Sequence, residues 1–190
     1  MKRILTLVAL AGAASVASAH TGHGTESLFE GLAHPLAADH LLAMLAVGLW
    51  SAVALPGAQR WLGPLSFLAA MTFGAALGAA GTALPFGEVG IALSVAVFGA
   101  MLIAGRRLPA NAGLALIAAG AALHGLAHGA ELPAGGSFLA YAAGFLVVTT
   151  ALHVAGVGIG AALREARAAV WRVLGSAFGG AGFVLLLTRI

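Results

Sequence analysis

The fold of this chain is decided by the stretch SFLAYAAGFLVVTTALHVAGVGIGAA, residues 137–162, which contains no aspartate, glutamate, lysine or arginine. An α-helix needs about 20 predominantly apolar residues to cross the hydrocarbon core of a bilayer, and this run supplies them. The other apolar runs of the chain are also long rather than alternating, which favours helices over membrane strands. We therefore predict an all-α fold, a polytopic bundle of membrane-spanning helices.

The composition of the whole chain excludes other classes of protein. Of the 190 residues, 61% are hydrophobic and only 8% are charged, and the mean hydropathy is +1.04. A soluble domain carries about 25% charged residues, and a disordered chain needs low hydrophobicity with high charge. The pI near 10.7 does not indicate a nucleic-acid partner, because the net charge is only +3 and the basic residues are scattered. The lack of cysteine excludes disulfides and thiolate metal sites.

The beginning of the chain has the three parts of a secretory signal peptide. Residues 2–3 are basic, residues 4–14 are apolar, and residues 17–19 form a small-residue cleavage site. We predict that the signal peptide, residues 1–19, is removed and that residues 20–33 form a periplasmic leader containing histidines. The alternative is an uncleaved first membrane helix, although the apolar run is short for a span.

Six further apolar runs are separated by short breaks that contain proline, glycine or arginine, and each run predicts one span. The predicted spans are Pro35–Ala54, Leu62–Ala80, Val89–Ala104, Ala110–His128, Ser137–Ala162 and Val170–Leu187. At about 20 residues each, they use nearly all of the mature chain. We therefore predict that residues 34–190 form one transmembrane domain.

The positions of the arginines predict the orientation of the bundle. With His20 outside, the breaks after spans one, three and five face the cytoplasm, and they hold Arg60, Arg106, Arg107, Arg164, Arg167 and Arg172. The outward breaks hold Glu88 and Glu131, and only Arg189 departs from the positive-inside rule. We predict a multi-pass protein of the bacterial inner membrane with its mature amino terminus in the periplasm.

Three pairs of glycines within the spans have the small-xxx-small spacing: Gly74 with Gly78, Gly156 with Gly160, and Gly175 with Gly179. Close backbone approach at such pairs supplies much of the packing between helices in lipid. We expect these pairs to pack within the bundle, and an oligomer through the same faces is the alternative.

Ionisable residues inside the spans are the candidate functional residues, because a bilayer penalises unpaired polar groups by several kcal/mol. They form two clusters: His34, Asp39 and His40 in HPLAADHLLAM (residues 34–44), and His124, His128 and Glu131 in HGLAHGAE (residues 124–131). The helix rise places Asp39 and His40 roughly 6 to 8 Å below the outer surface and His124 at about the same depth, with His128 and Glu131 continuing toward the outer mouth. If spans one and four touch, the two clusters surround one point.

Imidazoles and carboxylates that face one another suit a borderline divalent ion such as nickel, cobalt or zinc, whereas magnesium and calcium need more oxygen ligands. We therefore predict a metal site formed by His34, Asp39, His40, His124, His128 and Glu131. Weaker candidates are Met44 on the His40 face, His153 alone in span five, and His20 and His23 in the leader. The structural alternative is that these side chains only form hydrogen bonds between helices.

At these two motifs the sequence resembles the HupE/UreJ family of nickel and cobalt permeases, and the resemblance covers essentially the whole chain. The second motif matches at His124, Gly125, Ala127, His128, Gly129 and Glu131. The first matches at His34, Pro35, Asp39, His40, Ala43, Met44, Val47 and Gly48, but four residues rather than five separate His34 from Asp39, with no glycine among them. On a continuous helix, one residue fewer between them rotates His34 by about 100° from the direction relative to Asp39 that the family spacing gives.

The resemblance implies a permease rather than an enzyme, one that takes up Ni²⁺ or Co²⁺ from outside for metalloenzymes such as hydrogenase or urease. The ion is then the cargo, and no resident cofactor is expected; the other partner is membrane lipid. We expect the ion to lose water among His34, His128 and Glu131, to be held by Asp39, His40 and His124, and to leave near His153.

A different class of function is also compatible with histidines on two spans, namely a membrane b-type cytochrome in which His40 and His124 hold haem axially. The acidic residues Asp39 and Glu131 weigh against it, because haem needs no such ligands. An intramembrane metalloprotease is disfavoured because the chain lacks the His-Glu-x-x-His signature.

Overall fold

The computed structural model describes residues 28–82, 84–130 and 138–190, and within these ranges the chain is helical without a strand. The predicted all-α membrane bundle is confirmed. Its helices are α1 (Leu28–Ala33), α2 (Ala38–Ala54), α3 (Leu62–Ala79), α4 (Gly87–Ala104), α5 (Ala110–Ala130), α6 (Phe138–Ala162) and α7 (Ala168–Leu187). Short 3-10 turns occupy His34–Leu36, Gly57–Trp61 and Gly105–Arg107. The predicted signal peptide, His20, His23 and Glu131 lie outside the described residues.

Five helices, α3 to α7, are long and apolar enough to cross a membrane. The first predicted span, Pro35–Ala54, is built differently, because α2 is joined to α1 and its 3-10 turn through a bend of 70°. Pro35 lies in that turn, and Ala37 has the extended backbone angles φ −58° and ψ 146°. Since a proline ring clashes with the carbonyl four residues earlier in a helix, α1 ends before Pro35 and α2 begins at Ala38 instead of at Pro35.

The helices pack mainly in three pairs: α3 with α5, α4 with α7, and α2 with α6. Glycines make each contact close. A Cβ atom at Gly74 of α3 would overlap the Ala122 carbonyl of α5, and one at Gly175 of α7 would meet the Gly99 carbonyl of α4. In lipid such contacts replace the hydrophobic drive that packs soluble helices.

All three predicted glycine pairs therefore make contacts within the chain. The third case is α6, where a Cβ atom at Gly156 would lie 2.7 Å from the Leu45 carbonyl of α2, and one at Gly160 would lie 2.8 Å from the Leu49 carbonyl. These faces are covered inside the bundle.

Helix α2 lies at the centre of the bundle and contacts α3, α4, α6 and α7. Met44, Val47 and Trp50 along it are at most 1% exposed. Large apolar side chains on the outside, such as Leu65, Phe73 and Phe183, are more than half exposed, as expected for surfaces that contact lipid. The start of α2, which carries Asp39 and His40, is therefore enclosed by other helices.

The two ends of α2 define the two ends of the bundle. At its carboxyl end, Arg106 donates a 2.9 Å hydrogen bond from Nε to the Val53 carbonyl, where the helix dipole favours a cation. At its amino end, Asp39 contacts Arg189, which follows α7. Arg106 and Arg189 thus lie at opposite ends, which matches the predicted placement of Arg189 apart from the other basic breaks.

Candidate metal centre

Three histidines converge where α2, α5 and the 3-10 turn before α2 meet. His34, His40 and His128 each offer a ring nitrogen, and these nitrogens lie within 4.8 Å of one another. The ring centroid of His34 lies 5.0 Å from that of His40 and 4.6 Å from that of His128. Three imidazole nitrogens at such spacing can ligate one borderline divalent ion after small side-chain movements.

Local structure explains why these residues meet. His124 and His128 are four residues apart on α5, so they lie on one face of the helix. His40 is in the first turn of α2. His34 belongs to the 3-10 turn, which the bend at Ala37 turns away from the axis of α2. The His34 ring is brought toward α5 by this bend and not by the helical periodicity of α2.

Asp39 orients His40. Its Oδ1 atom lies 2.5 Å from His40 Nδ1, and because a carboxylate can only accept, the Nδ1–H of His40 is the donor. In the neutral ring this leaves the lone pair on Nε2, the atom that faces His128. A carboxylate behind a ligating histidine fixes its tautomer and raises its basicity, which is the usual arrangement at metal sites.

The other carboxylate oxygen of Asp39 is bonded to Arg189. Arg189 Nη2 donates to Asp39 Oδ2 at 2.5 Å, and Arg189 Nη1 lies 3.4 Å from Glu88 Oε2. Asp39 is 2% exposed and Arg189 is 15% exposed. Arg189 was not among the site residues expected from the sequence, although its departure from the predicted positive-inside pattern was a signal that could have indicated it.

His40 and His128 are in direct contact through their ring nitrogens. The two Nε2 atoms lie 2.6 Å apart. Since Asp39 holds the proton of His40 on Nδ1, the proton between the two rings belongs to His128 Nε2. An ion bound by both nitrogens takes the place of this proton, which the neutral His128 ring then carries on Nδ1.

His124 lies on the inner side of this group, with its ring 4.9 Å from that of His40. The Ser94 hydroxyl of α4 donates to the Ile91 carbonyl at 2.7 Å, so Ser94 accepts the Nε2–H of His124 at 2.9 Å. The lone pair of His124 is then on Nδ1, which is buried and has no hydrogen-bond partner among the described residues. A buried unpaired acceptor is costly and calls for a functional reason.

An aromatic wall on α6 closes one side of the cluster. The Phe145 ring lies 5.7 Å from His34 and 5.5 Å from His128, and Tyr141 lies 6.0 Å from His34. A largely apolar cavity of about 210 Å³ adjoins this wall and is lined by His128, Tyr141 and Phe145 among others. These aromatics limit the water around the histidines, which strengthens electrostatic interactions there.

Below the cluster, Phe67 of α3 contacts two histidines. Its ring centroid lies 5.8 Å from that of His124 and 4.8 Å from that of His153. His153 of α6 donates its Nδ1–H to the Thr149 carbonyl at 2.8 Å, so its lone pair is on Nε2, which is buried without a partner in the described part of the chain. Both histidines thus present an unused nitrogen near one aromatic ring.

The structure therefore brings five of the predicted site residues together, and it arranges them differently from the expected central group of Asp39, His40 and His124. The converging nitrogens are those of His34, His40 and His128, with Asp39 behind His40 and His124 on the inner side. Met44 is fully buried in the apolar core. His153 lies outside this group, and the Phe67 ring lies between it and His124.

The contact between His40 and His124 argues against the haem alternative. Their ring centroids are 4.9 Å apart and the rings are nearly perpendicular. A porphyrin held by two axial histidines lies between their rings, and rings in contact leave no room for it. The cluster has instead the nitrogen donors and the neighbouring carboxylate of a site for a single divalent ion.

The fold and this cluster define the class: a polytopic membrane protein with a histidine-lined site inside its helical bundle. Comparison with known proteins then gives the family. Residues 8–185 match the family described as HupE / UreJ protein, and the chain is 39% identical over 188 residues to Protein HupE of Rhizobium leguminosarum bv. viciae, covering 97% of each chain. No solved structure matches.

The chain belongs to the HupE/UreJ family. It is accordingly a bacterial multi-pass membrane permease and not an enzyme, with a general role in nickel or cobalt transport.

Proposed function

We propose that this protein takes up Ni²⁺ or Co²⁺ from the periplasm across the inner membrane through the histidine cluster at the outer ends of α2 and α5. The observation that carries the proposal is the convergence of the His34, His40 and His128 nitrogens within 4.8 Å. Nickel and cobalt accept several imidazole ligands, and a neutral imidazole is the form that binds them. The mature amino terminus, with His20 and His23, lies on the periplasmic side in this proposal.

The ion first exchanges water for imidazole at the outer cluster. His40 is the central ligand, since Asp39 holds its Nδ1 proton and directs its lone pair toward His128. His34 completes the three nitrogens, and Glu131 is the proposed acidic residue at the mouth. The negative charge of Asp39 offsets part of the cost of placing a divalent ion inside the bundle.

The inner part of the route uses the two histidines with unused nitrogens. His124 Nδ1 and His153 Nε2 are both buried, and both rings contact Phe67. We propose that the ion passes from the outer cluster to His124 and then to His153, with the Phe67 side chain moving to let it pass. In the ion-free protein Phe67, which is fully buried, keeps this route dry.

The driving force comes from the membrane rather than from a nucleotide. The chain has no phosphate-binding loop motif. A divalent cation that moves into the cell gains about 4.6 kcal/mol per 100 mV of membrane potential, which is enough to drive uptake against a large concentration gradient.

The test is uptake of ⁶³Ni²⁺ by cells that produce the full chain, the His40→Ala variant, or Asn111→Ala. Asn111 is an exposed residue at the other end of α5 and serves as the control. We expect His40→Ala to lower uptake at least about tenfold, since it removes a ligand, and Asn111→Ala to leave it unchanged. Competition by unlabelled cobalt and zinc in the same cells ranks the ions. Wild-type uptake by His40→Ala would contradict the proposed site.

A further inference from the structure

Arg189 joins the two acidic residues at the outer end of the bundle. Its Nη2 donates to Asp39 Oδ2 at 2.5 Å, and its Nη1 donates to the Glu88 carbonyl at 3.1 Å and lies 3.4 Å from Glu88 Oε2. One guanidinium therefore neutralises a buried carboxylate and a partly exposed one at the same time. Asp39 is in turn hydrogen-bonded to His40 of the metal cluster, so Asp39 links the guanidinium to that histidine.

The same guanidinium faces a cavity at the outer end. This cavity has a volume of about 260 Å³, and among the described residues its charged lining consists of Glu88 and Arg189. Asp39 does not line it. Arg189 is thus in contact both with the cavity and with the carboxylate behind the histidines, and a cation that moves from the cavity toward Asp39 meets Arg189 first.

The charges at this place favour one cation at a time. With the guanidinium present, a divalent ion would bring the positive charge to three against the two carboxylates of Asp39 and Glu88; without it, two positive charges face two negative ones. In the low-dielectric interior, a guanidinium and a divalent ion beside the same pair of carboxylates repel each other strongly. The ion and the guanidinium are therefore alternative partners of the same carboxylates.

We propose that Arg189 takes the place of the transported cation in the ion-free protein and releases Asp39 and Glu88 as the divalent ion enters from the outer cavity. This inference rests on the proposed function of the histidine cluster. Arg189 sits directly after α7, so its long side chain can swing into the cavity without unwinding the helix. Its return to Asp39 helps the ion to leave toward the inner histidines.

The effect of losing Arg189 on the KM for metal distinguishes competition with the ion from a merely structural ion pair. If Arg189 only ties α7 to α2, its loss disturbs the cluster, so that the KM for metal stays the same or rises. If Arg189 competes with the ion, its loss removes the competing positive charge beside Asp39 and Glu88, and the ion binds more tightly and leaves more slowly. The KM is the informative quantity because, unlike the maximal rate, it does not depend on how much folded protein reaches the membrane.

The experiment measures ⁶³Ni²⁺ uptake against concentration in cells that produce the full chain with Arg189→Gln or Arg189→Lys. For Arg189→Gln we expect the KM to fall about threefold or more and the maximal rate per protein molecule to fall with it. For Arg189→Lys we expect an intermediate KM, because an ammonium cannot bridge two carboxylates as a guanidinium does. An unchanged or higher KM for Arg189→Gln would overturn the proposal.

A second comparison covers the case in which Arg189→Gln does not accumulate in the membrane. Arg189→Lys then decides: a KM below that of the wild type supports the proposal, and an unchanged or higher one overturns it. The His40→Ala variant in the same cells separates a failure of the proposed histidine site from a failure of the proposed role of Arg189. Normal uptake by His40→Ala refutes the histidine site itself, whereas a failed Arg189 result beside an inactive His40→Ala refutes only the role of Arg189.

Discussion

The Nε2 atoms of His40 and His128 lie 2.6 Å apart where α2 meets α5. Asp39 accepts the Nδ1 proton of His40, so one proton remains between the two rings, on His128. A metal ion that binds both nitrogens requires this proton to move to Nδ1 of His128, because a protonated ring nitrogen has no lone pair for the ion. Protons and metal ions therefore compete for the same lone pairs in this cluster.

This competition predicts the direction of the pH dependence. A further proton on a ligating ring occupies the lone pair that the ion needs, so lowering the pH favours the ion-free state. We therefore expect the Kd for Ni²⁺ to rise as the pH is lowered, by up to about tenfold per pH unit for each ring that must lose a proton before the ion binds. Equilibrium dialysis of the purified protein at several pH values measures this without interference from the membrane potential. A Kd that does not rise at any acidic pH at which the protein stays folded would refute competition by protons.

Replacement of Asp39 by asparagine tests its role behind His40. The amide can still accept the His40 Nδ1–H, but the charge that raises the basicity of the ring and offsets the ion is lost. We expect Asp39→Asn to weaken Ni²⁺ binding about 10- to 100-fold, the effect typical of such supporting carboxylates. Glu165→Gln removes the same charge at an exposed position near the other end of α6 and is the control. Equal affinities of the two variants would mean that Asp39 has no part in binding.

Most of the fold could be predicted from the sequence because bilayer thickness sets the length of a span. The predicted span Leu62–Ala80 is α3 at Leu62–Ala79, and Ala110–His128 is α5 at Ala110–Ala130. Long apolar runs with proline, glycine or arginine between them leave few choices for where a helix begins or ends. Which helices pair could not be predicted, because each glycine pair is compatible with any close neighbour.

In the first span, helical periodicity does not describe the position of His34. On a continuous helix, the shorter spacing would point His34 about 100° away from the direction, relative to Asp39, that the five-residue spacing of the family gives. The bend at Ala37 removes that constraint, and His34 reaches the cluster from a separate turn packed beside α6. The shorter spacing between His34 and Asp39 is therefore compatible with convergence, since the connecting segment is not a helix.

The supporting residues could not be predicted because they are distant in sequence. Arg189 is 150 positions from Asp39, and Ser94 is 30 positions from His124. Phe67 and Phe145 have no special signal among the other apolar residues of their spans. Only tertiary packing brings these side chains to the histidines. The ionisable residues, in contrast, could be identified from the sequence, because placing them in a bilayer is energetically unfavourable.

The close packing of α3 against α5 predicts the effect of filling a glycine. A Cβ atom at Gly125 would overlap the Met71 carbonyl of α3. Gly125→Ala therefore pushes α5, which carries His124 and His128, away from α3. We expect a loss of about 1–3 kcal/mol of stability, visible as a lower unfolding temperature in detergent. At Gly158 of α6 an added Cβ meets no atom within 4 Å, and Gly158→Ala is expected to be neutral or slightly stabilising. Equal unfolding temperatures for the two variants would contradict the close approach of α3 to α5.

His153 offers a way to separate binding from transport. Its Nε2 lone pair is buried near Phe67, apart from the nitrogens of His34, His40 and His128. Since those three nitrogens remain, we expect His153→Leu to change the Kd of the purified protein for Ni²⁺ less than about twofold, while the maximal rate of uptake falls about tenfold or more. Thr150→Val, on an exposed face of the same helix, is the control for a polar-to-apolar change in α6. If His153→Leu transports at the rate of Thr150→Val, His153 serves packing alone and the ion leaves by another route. If His153→Leu weakens binding as much as transport, His153 and the three-histidine cluster act as one site, which contradicts the separate inner position.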